Sequence, residues 1–198
     1  SLLMLGEHSK CDDYGIKDPL EPGKPAALTI PVDLPGALLN RFSIKAFNTL
    51  YYHRVRQRYS EQTLHYEPFF YPLDSILQWN RIYGPKGFQQ FQCVIPTHNA
   101  EAAITEILDT TAAAGEGSFL AVLKRCGSIH SPGWLSFPMP GVSLALDFRQ
   151  RDHLNCSLFP HLDTIVRESG GRLYPAKDAH MSGQDFRSFY PKWQQLES

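Results

Sequence analysis

The chain has 198 residues, 42% hydrophobic and 20% charged, with a formal net charge of -1. That composition is globular and supports one good core, or a core with a docked segment, so a single folded domain is the default. Near-neutral charge gives no overall attraction to nucleic acid or to an anionic membrane, and no apolar run approaches the roughly 20 residues that span a bilayer.

Ser1 to Leu5 is too short for the apolar region of a secretory leader and lacks a basic start, so the chain reads as cytosolic and as cut from something longer. Turn formers crowd residues 9 to 25, among them Gly15, Pro19, Pro22, Gly23 and Pro25, and mark 1–25 as a linker preceding a domain over 26–198. Ala26 to Val32 suits a strand, and Leu39, Phe42, Ala46 and Leu50 recur at helical spacing within 38–59. Leu64 to Phe70 reads as a second strand that Pro68 pushes to an edge, and Pro72 opens a helix ending near Tyr83 at Gly84-Pro85. A strand over Phe88 to Ile95 precedes a helix near 99–114 with Ile104, Ile107, Leu108 and Thr111 on one stripe. Strands follow at Phe119 to Arg125 and Val142 to Phe148, separated by a Pro/Gly-rich connection from Ser131 to Gly141. A helix near 157–169, packing through Leu158, Leu162, Ile165 and Val166, ends at Gly170-Gly171; a short strand with Tyr174 and a helix near 184–190 complete the chain. This order predicts an α+β domain, with helices on one face of a mostly antiparallel sheet.

Several chemistries find no motif. Cys11, Cys93, Cys126 and Cys156 contain no C-x-x-C pair and read as reduced thiols, and the eight histidines show no metal-binding spacing. No G-x-S-x-G elbow is present, and Gly115-Glu116-Gly117 follows a helix, the context of a helix-to-strand turn and not of a dinucleotide site. Tyr51 to Tyr59 interleaves aromatics with Arg54, Arg56 and Arg58, which suits either a solvated basic helix end or a phosphate on a small substrate.

The strand pattern is more informative. A period of two puts Phe91, Cys93 and Ile95 on one face and Gln90 and Gln92 on the other. Val142, Leu144, Leu146 and Phe148 likewise oppose Ser143, Ala145 and Asp147. If the two strands are neighbours, amides and small residues form a shallow polar floor suited to a polyhydroxylated ligand; otherwise they are an ordinary solvated sheet face. Of Lys124 and Arg125, alternation lets only one face that floor. Tyr174 and Lys177 stand just beyond the Gly-Gly stop, where Lys177 is either surface charge or a site cation.

Four ordered blocks carry a family resemblance: Tyr71-Pro72-Leu73-Asp74 with Trp79-Asn80-Arg81-x-Tyr83-Gly84; Gly87-Phe88-x-Gln90-Phe91-Gln92-x-Val94-Ile95-Pro96; Leu135-Ser136-Phe137-Pro138-Met139-Pro140-Gly141; and Gly171-Arg172-Leu173-Tyr174-x-Ala176-Lys177-Asp178. From about Gly6 to Tyr190 the chain resembles the C-terminal half of FAD-linked oxidases of the vanillyl-alcohol-oxidase superfamily, of the decaprenylphosphoryl-ribose 2′-oxidase type. The resemblance implies a ferredoxin-like cap domain that binds substrate over a flavin held by a separate N-terminal FAD-binding domain. It implies that Lys177 and Tyr174 reach substrate and the flavin edge, that Gln90 and Gln92 line the pocket with Gln92 also near the cofactor, and that Lys124 contributes a wall. Ala145 stands where related enzymes carry a pocket cysteine, Ser143 replaces an asparagine and Pro175 replaces a leucine, so substrate identity stays open.

The resulting expectation is the substrate-binding part of an FAD-dependent oxidoreductase that moves a hydride from a secondary alcohol of a sugar or polyol, phosphate-bearing or not, to flavin. Lys177 orients the hydroxyl or stabilises negative charge on the flavin, or acts as a base if burial lowers its pKa. No nucleic acid, metal or transmembrane segment is expected, and association with a membrane surface stays open. The alternative is a stand-alone module that binds carbohydrate or protein without redox chemistry.

Overall fold

The computed structural model describes residues 4–8, 28–35, 40–53, 55, 57, 59–71, 76–118, 120–177 and 180–196. The linker expected over 9–25, together with Leu39, Arg54, Arg56 and Arg58, lies outside them.

Four strands and two helices build the central unit. Strand β1 (Leu28–Thr29), helix α1 (Arg41–His53), helix α2 (Tyr66–Phe70) and strand β2 (Ile76–Leu77) come first, followed by a 3-10 turn at Trp79–Tyr83. Then come β3 (Phe88–Pro96), α3 (Ala100–Ala113), β4 (Ala121–Cys126), β5 (Gly141–Arg149), α4 (Phe159–Glu168), β6 (Arg172–Leu173) and α5 (Gly183–Phe189). The strand order is β4-β5-β3-β6 and every neighbouring pair is antiparallel. With α3 and α4 as the connections this is the βαββαβ arrangement of ferredoxin-like folds. β1 and β2 form a separate parallel pair.

Apolar periodicity drives this arrangement. Phe91, Cys93 and Ile95 of β3 and Leu144, Leu146 and Phe148 of β5 are all buried against Ile104 and Ile107 of α3 and Leu162 and Val166 of α4. Each such side chain taken out of water contributes about 1.5–3 kcal/mol. Gly115 (φ 73°) and Gly170 (φ 69°) end α3 and α4 in the left-handed conformation that side chains avoid. Gly141 is required for another reason: a Cβ there would press on the Ile95 carbonyl oxygen and lie 2.9 Å from the Ile95 carbonyl carbon. In this same core the Cys93 thiol is pushed up to about 12 by burial, which removes it as a nucleophile.

Four local expectations change. Leu64 to Phe70 is no strand: Tyr66–Phe70 is helical, with the His65 side chain accepting from the Glu67 amide at 3.4 Å. Pro68 sits in the first turn of that helix, where a missing N–H costs nothing. The helix read from Pro72 to Tyr83 is instead β2 and the 3-10 turn, with 72–75 outside the described residues. Of the strand read over 26–32, Leu28–Thr29 is strand and 30–32 is not, with 26–27 outside the described residues. Leu108 leaves the α3 stripe and is 42% exposed, whereas Ile104, Ile107 and Thr111 are buried.

Asp163 of α4 is a buried carboxyl, and its pKa is raised by that burial, opposed by the hydrogen bond and charge of His180 and by Arg167, and reinforced by Asp185. The folded chain therefore holds this proton more tightly than the unfolded chain. Its contribution to stability is full below the ordinary value of 3.8 and is lost as pH rises through the higher folded value. Asp163→Asn is expected to flatten that part of the stability profile, measured as urea midpoints across the weakly acidic range.

Candidate functional site

The sheet has one face covered by the helices of the core and an opposite polar face on which Val94, Ser143 and Asp147 are buried, and register decides what stands on the latter. Gln90 pairs with Asp147, Gln92 with Ala145 and Val94 with Ser143. Ala145 in turn pairs with Val122, and Ser143 with Lys124. Alternation therefore places Gln90, Gln92, Ser143, Ala145, Asp147 and Lys124 on one face, opposite the core. Lys124, not Arg125, shares this face, and its side chain is exposed.

Cross-strand hydrogen bonds organise the floor. Gln90 Nε2 donates to Asp147 Oδ1 at 2.6 Å, and Gln92 Nε2 to Ser143 Oγ at 3.4 Å. Asp147 is 1% exposed, and its amide donates to Ser118 Oγ at 2.9 Å. These bonds hold the amides in fixed orientations, which favours specific recognition over adaptable contact.

Lys177 reaches this face from the sheet edge. The Tyr174 amide donates to the Gln92 carbonyl at 2.9 Å, carrying the chain past the end of β6, and the Lys177 amide donates to the Tyr174 carbonyl at 3.2 Å, closing a tight turn. The Tyr174 ring stacks on Phe137 with centroids 4.5 Å apart, and Lys177 Nζ lies 5.6 Å from that ring's centroid, in cation–π range. Phe137 is buried, and Arg172 Nη1 donates to the Ser136 carbonyl at 3.1 Å, so the connection between β4 and β5 is tied to the same edge.

These elements border an open cleft of about 420 Å³ lined by Trp79, Phe88, Gln90, Leu120, Asp147, Ala176 and Lys177. That volume falls among small-molecule sites, which run from roughly 300 to 1,000 Å³. Trp79 and Phe88 form one apolar wall, with centroids 5.3 Å apart and Tyr83 stacked behind Phe88 at 4.7 Å. The buried Tyr83 hydroxyl is pushed up by desolvation and then by the Asp147 charge, so it stays protonated. A larger recess of about 480 Å³ runs along α1, lined by residues such as Lys45, Tyr52 and His53; Tyr52 and His53 belong to the Tyr51 to Tyr59 stretch, but none of Gln90, Gln92, Lys124, Ser143, Ala145, Tyr174 and Lys177 lines it.

Of the residues expected at a site, Gln90 and Lys177 meet directly on the cleft. Gln92, Ser143, Ala145 and Lys124 extend its polar face without lining it, and Tyr174 supports Lys177 through its ring. Asp147, Trp79 and Phe88 were not singled out as site residues. Alternation puts Asp147 on the polar face and the register with Gln90 brings it to the cleft, while Trp79 arrives through the turn that folds it onto Phe88. A cation beside one primary amide and an aromatic wall, with the second amide of Gln92 further along the same face, is a donor set suited to the polar edge of a flat heteroaromatic group such as flavin, or to a hydroxylated ligand. Among the described residues no cluster of three His, Cys, Asp or Glu forms a metal site, and no helix is long and apolar enough to cross a membrane.

No protein-family model matches the chain. The chain is 38% identical over 176 residues, 89% of its length, to decaprenylphosphoryl-beta-D-ribose oxidase of Mycolicibacterium smegmatis. It is 31% identical over 106 residues to a Streptomyces coelicolor protein described as an uncharacterized protein in the mprA 5′ region. The chain spans about a third of the length of these curated relatives, 37% and 28%. Identity at this level along nearly all of the chain, over a ferredoxin-like α+β fold, makes it similar to a part of decaprenylphosphoryl-beta-D-ribose oxidase, consistent with a C-terminal domain of an FAD-linked oxidase.

Proposed function

We propose that this chain is the substrate-binding portion of an FAD-dependent oxidoreductase that oxidises a secondary alcohol on a phosphate-bearing sugar or polyol. The observation that carries this reading is the meeting of Lys177 and Gln90, far apart in the sequence, on one partly apolar cleft. The similarity to a ribose-derivative oxidase supports the substrate class. FAD, bound mainly by a separate N-terminal domain, supplies the hydride acceptor.

This chain's residues do the positioning. Gln90, fixed by Asp147, and Gln92, fixed by Ser143, hydrogen-bond the sugar hydroxyls on the floor. Ala145 leaves room above the strand between them, and exposed Lys124 offers a cation for a substrate phosphate. Trp79 and Phe88 exclude water on one side. Lys177, steadied over Tyr174, orients the reacting hydroxyl and stabilises negative charge that develops beside it, and Gln92 and Lys177 are the residues that would hold the polar side of a bound flavin. The reading places the enzyme in the cytoplasm, working at a membrane surface where a lipid-linked phosphate sugar is presented.

The test pairs the chain with its flavin domain. The isolated chain is expected to purify colourless. The complete flavoprotein is expected to be yellow and to bleach under anaerobic conditions when a ribosyl phosphate is added. A complete protein that binds the sugar yet holds no flavin would replace this reading with the carbohydrate-binding module.

A further inference from the structure

The turn that carries Lys177 is tied down at both ends, and the second tie lies away from the cleft. Upstream, Tyr174 is held by the Gln92 carbonyl and by Phe137. Downstream, His180 enters the core. Its ring stacks on Phe91 with centroids 5.4 Å apart and lies 4.6 Å from Phe159. Its Nδ1 is 3.3 Å from Asp163 Oδ2, and both side chains are only 6% exposed.

Two polar groups at that depth cost free energy unless they meet each other. Neighbouring groups are otherwise engaged: Arg167, one turn along α4, pairs with Asp185 at 2.6 Å, and Asp185 accepts from Ser182 Oγ at 2.7 Å. Cys93 lies close enough to feel the Asp163 charge but is a buried thiol. Imidazole and carboxyl thus form a specific joint between α4 and the segment that leads from Lys177 into α5.

We propose that the His180–Asp163 pair is a positioning device for Lys177, fixing the downstream end of its turn so that the ammonium is held at the cleft. This rests on the assignment of Lys177 as the site cation. Three residue steps span at most about 10 Å, so an anchored His180 confines the Lys177 backbone even though it touches nothing in the cleft. Reaction rates are sensitive to such placement, a shift of about 1 Å costing up to 100-fold. The expected signature is a loss in turnover with substrate binding retained.

The experiment compares His180→Phe, which keeps the ring and loses the pairing, with Asp163→Asn, which keeps shape and a hydrogen bond. In the 198-residue chain, His180→Phe is expected to accelerate amide hydrogen exchange about tenfold or more at Tyr174 and Lys177, with β3 and β5 unchanged and Asp163→Asn close to wild type. Equal acceleration across the sheet, or none at Lys177, overturns the proposal. In the complete flavoprotein, flavin reduction at saturating substrate is expected to fall about tenfold in His180→Phe with KM within about twofold. Should His180→Phe not fold, His180→Gln, which gives up the ring contacts with Phe91 and Phe159, is measured in its place. Lys177→Met separates the two ideas. If it leaves reduction intact, the assignment of Lys177 fails while the exchange data still judge the anchor. If it abolishes reduction and His180→Phe does not slow it, the anchor fails alone.

Discussion

Gly141→Ala is expected to unfold the chain or to lower its stability by about 4 kcal/mol, the range in which single substitutions become exceptional. The added methyl meets backbone and not a side chain that can rotate away: the Ile95 carbonyl group and, at 3.2 Å, the Pro96 Cα. Gly141 opens β5 opposite Pro96 and also pairs with Cys126, so relief requires separating β5 from the strand that carries Gln90 and Gln92. Total stabilities of such domains are about 5–15 kcal/mol, and a loss of this size leaves little. Urea denaturation followed by circular dichroism measures it. Gly183→Ala is the control, because a Cβ there meets nothing within 4 Å and the residue is the first of α5. That variant is expected to be unchanged or up to about 1 kcal/mol more stable. Equal midpoints for Gly141→Ala and wild type would show that the two strands can part cheaply.

Lys177→Met is expected to slow flavin reduction in the complete flavoprotein by about 100- to 1,000-fold, the usual loss when one preorganised charge-stabilising group is removed. Methionine approximates the length of the lysine stem, so the cleft keeps its shape and loses only the cation. Tyr174→Phe keeps the ring that faces Lys177 Nζ and stacks on Phe137, so its effect is expected to stay within about tenfold. Stopped-flow absorbance under anaerobic conditions reads both. A Lys177→Met enzyme reduced at the wild-type rate would remove the lysine from the chemistry.

The core and the polar face were legible because alternation in β3 and β5 is local: Phe91 and Gln92 announce opposite environments from sequence alone. Helices α3 and α4 were legible for the same reason and because Gly115 and Gly170 mark their ends. The α2 segment was misread because Pro68 signals an edge strand and a helix first turn equally well, and histidine is an uncommon cap. Leu108 continued a helical stripe, but the sheet covers less of α3 than the stripe's width. The site was half legible. Lys177 and Gln90 could be named in advance, whereas Asp147 and Trp79 acquire roles from strand register and from a turn packed across the sheet, which no local pattern encodes. Nor does the sequence around His180 hint that it is a core residue bonded to Asp163.

The shared strands also constrain how ligand preference can change over evolution. Along β3 and β5 the residues on the polar face alternate with core residues: Gln90 and Gln92 flank Phe91, and Asp147 lies between Leu146 and Phe148. Insertion or deletion of one residue would put Phe91 on the floor in place of Gln90 and a glutamine in the core in place of Phe91, damaging recognition and folding at once. Relatives with different substrates are therefore expected to keep the lengths of these strands and to differ by point changes at Gln90, Gln92, Ser143, Ala145 and Lys124. Changes in length are expected to accumulate in the part of the connection between β4 and β5 around Ile129, which is 93% exposed, ahead of Ser136 and Phe137, which tie the connection to the sheet edge.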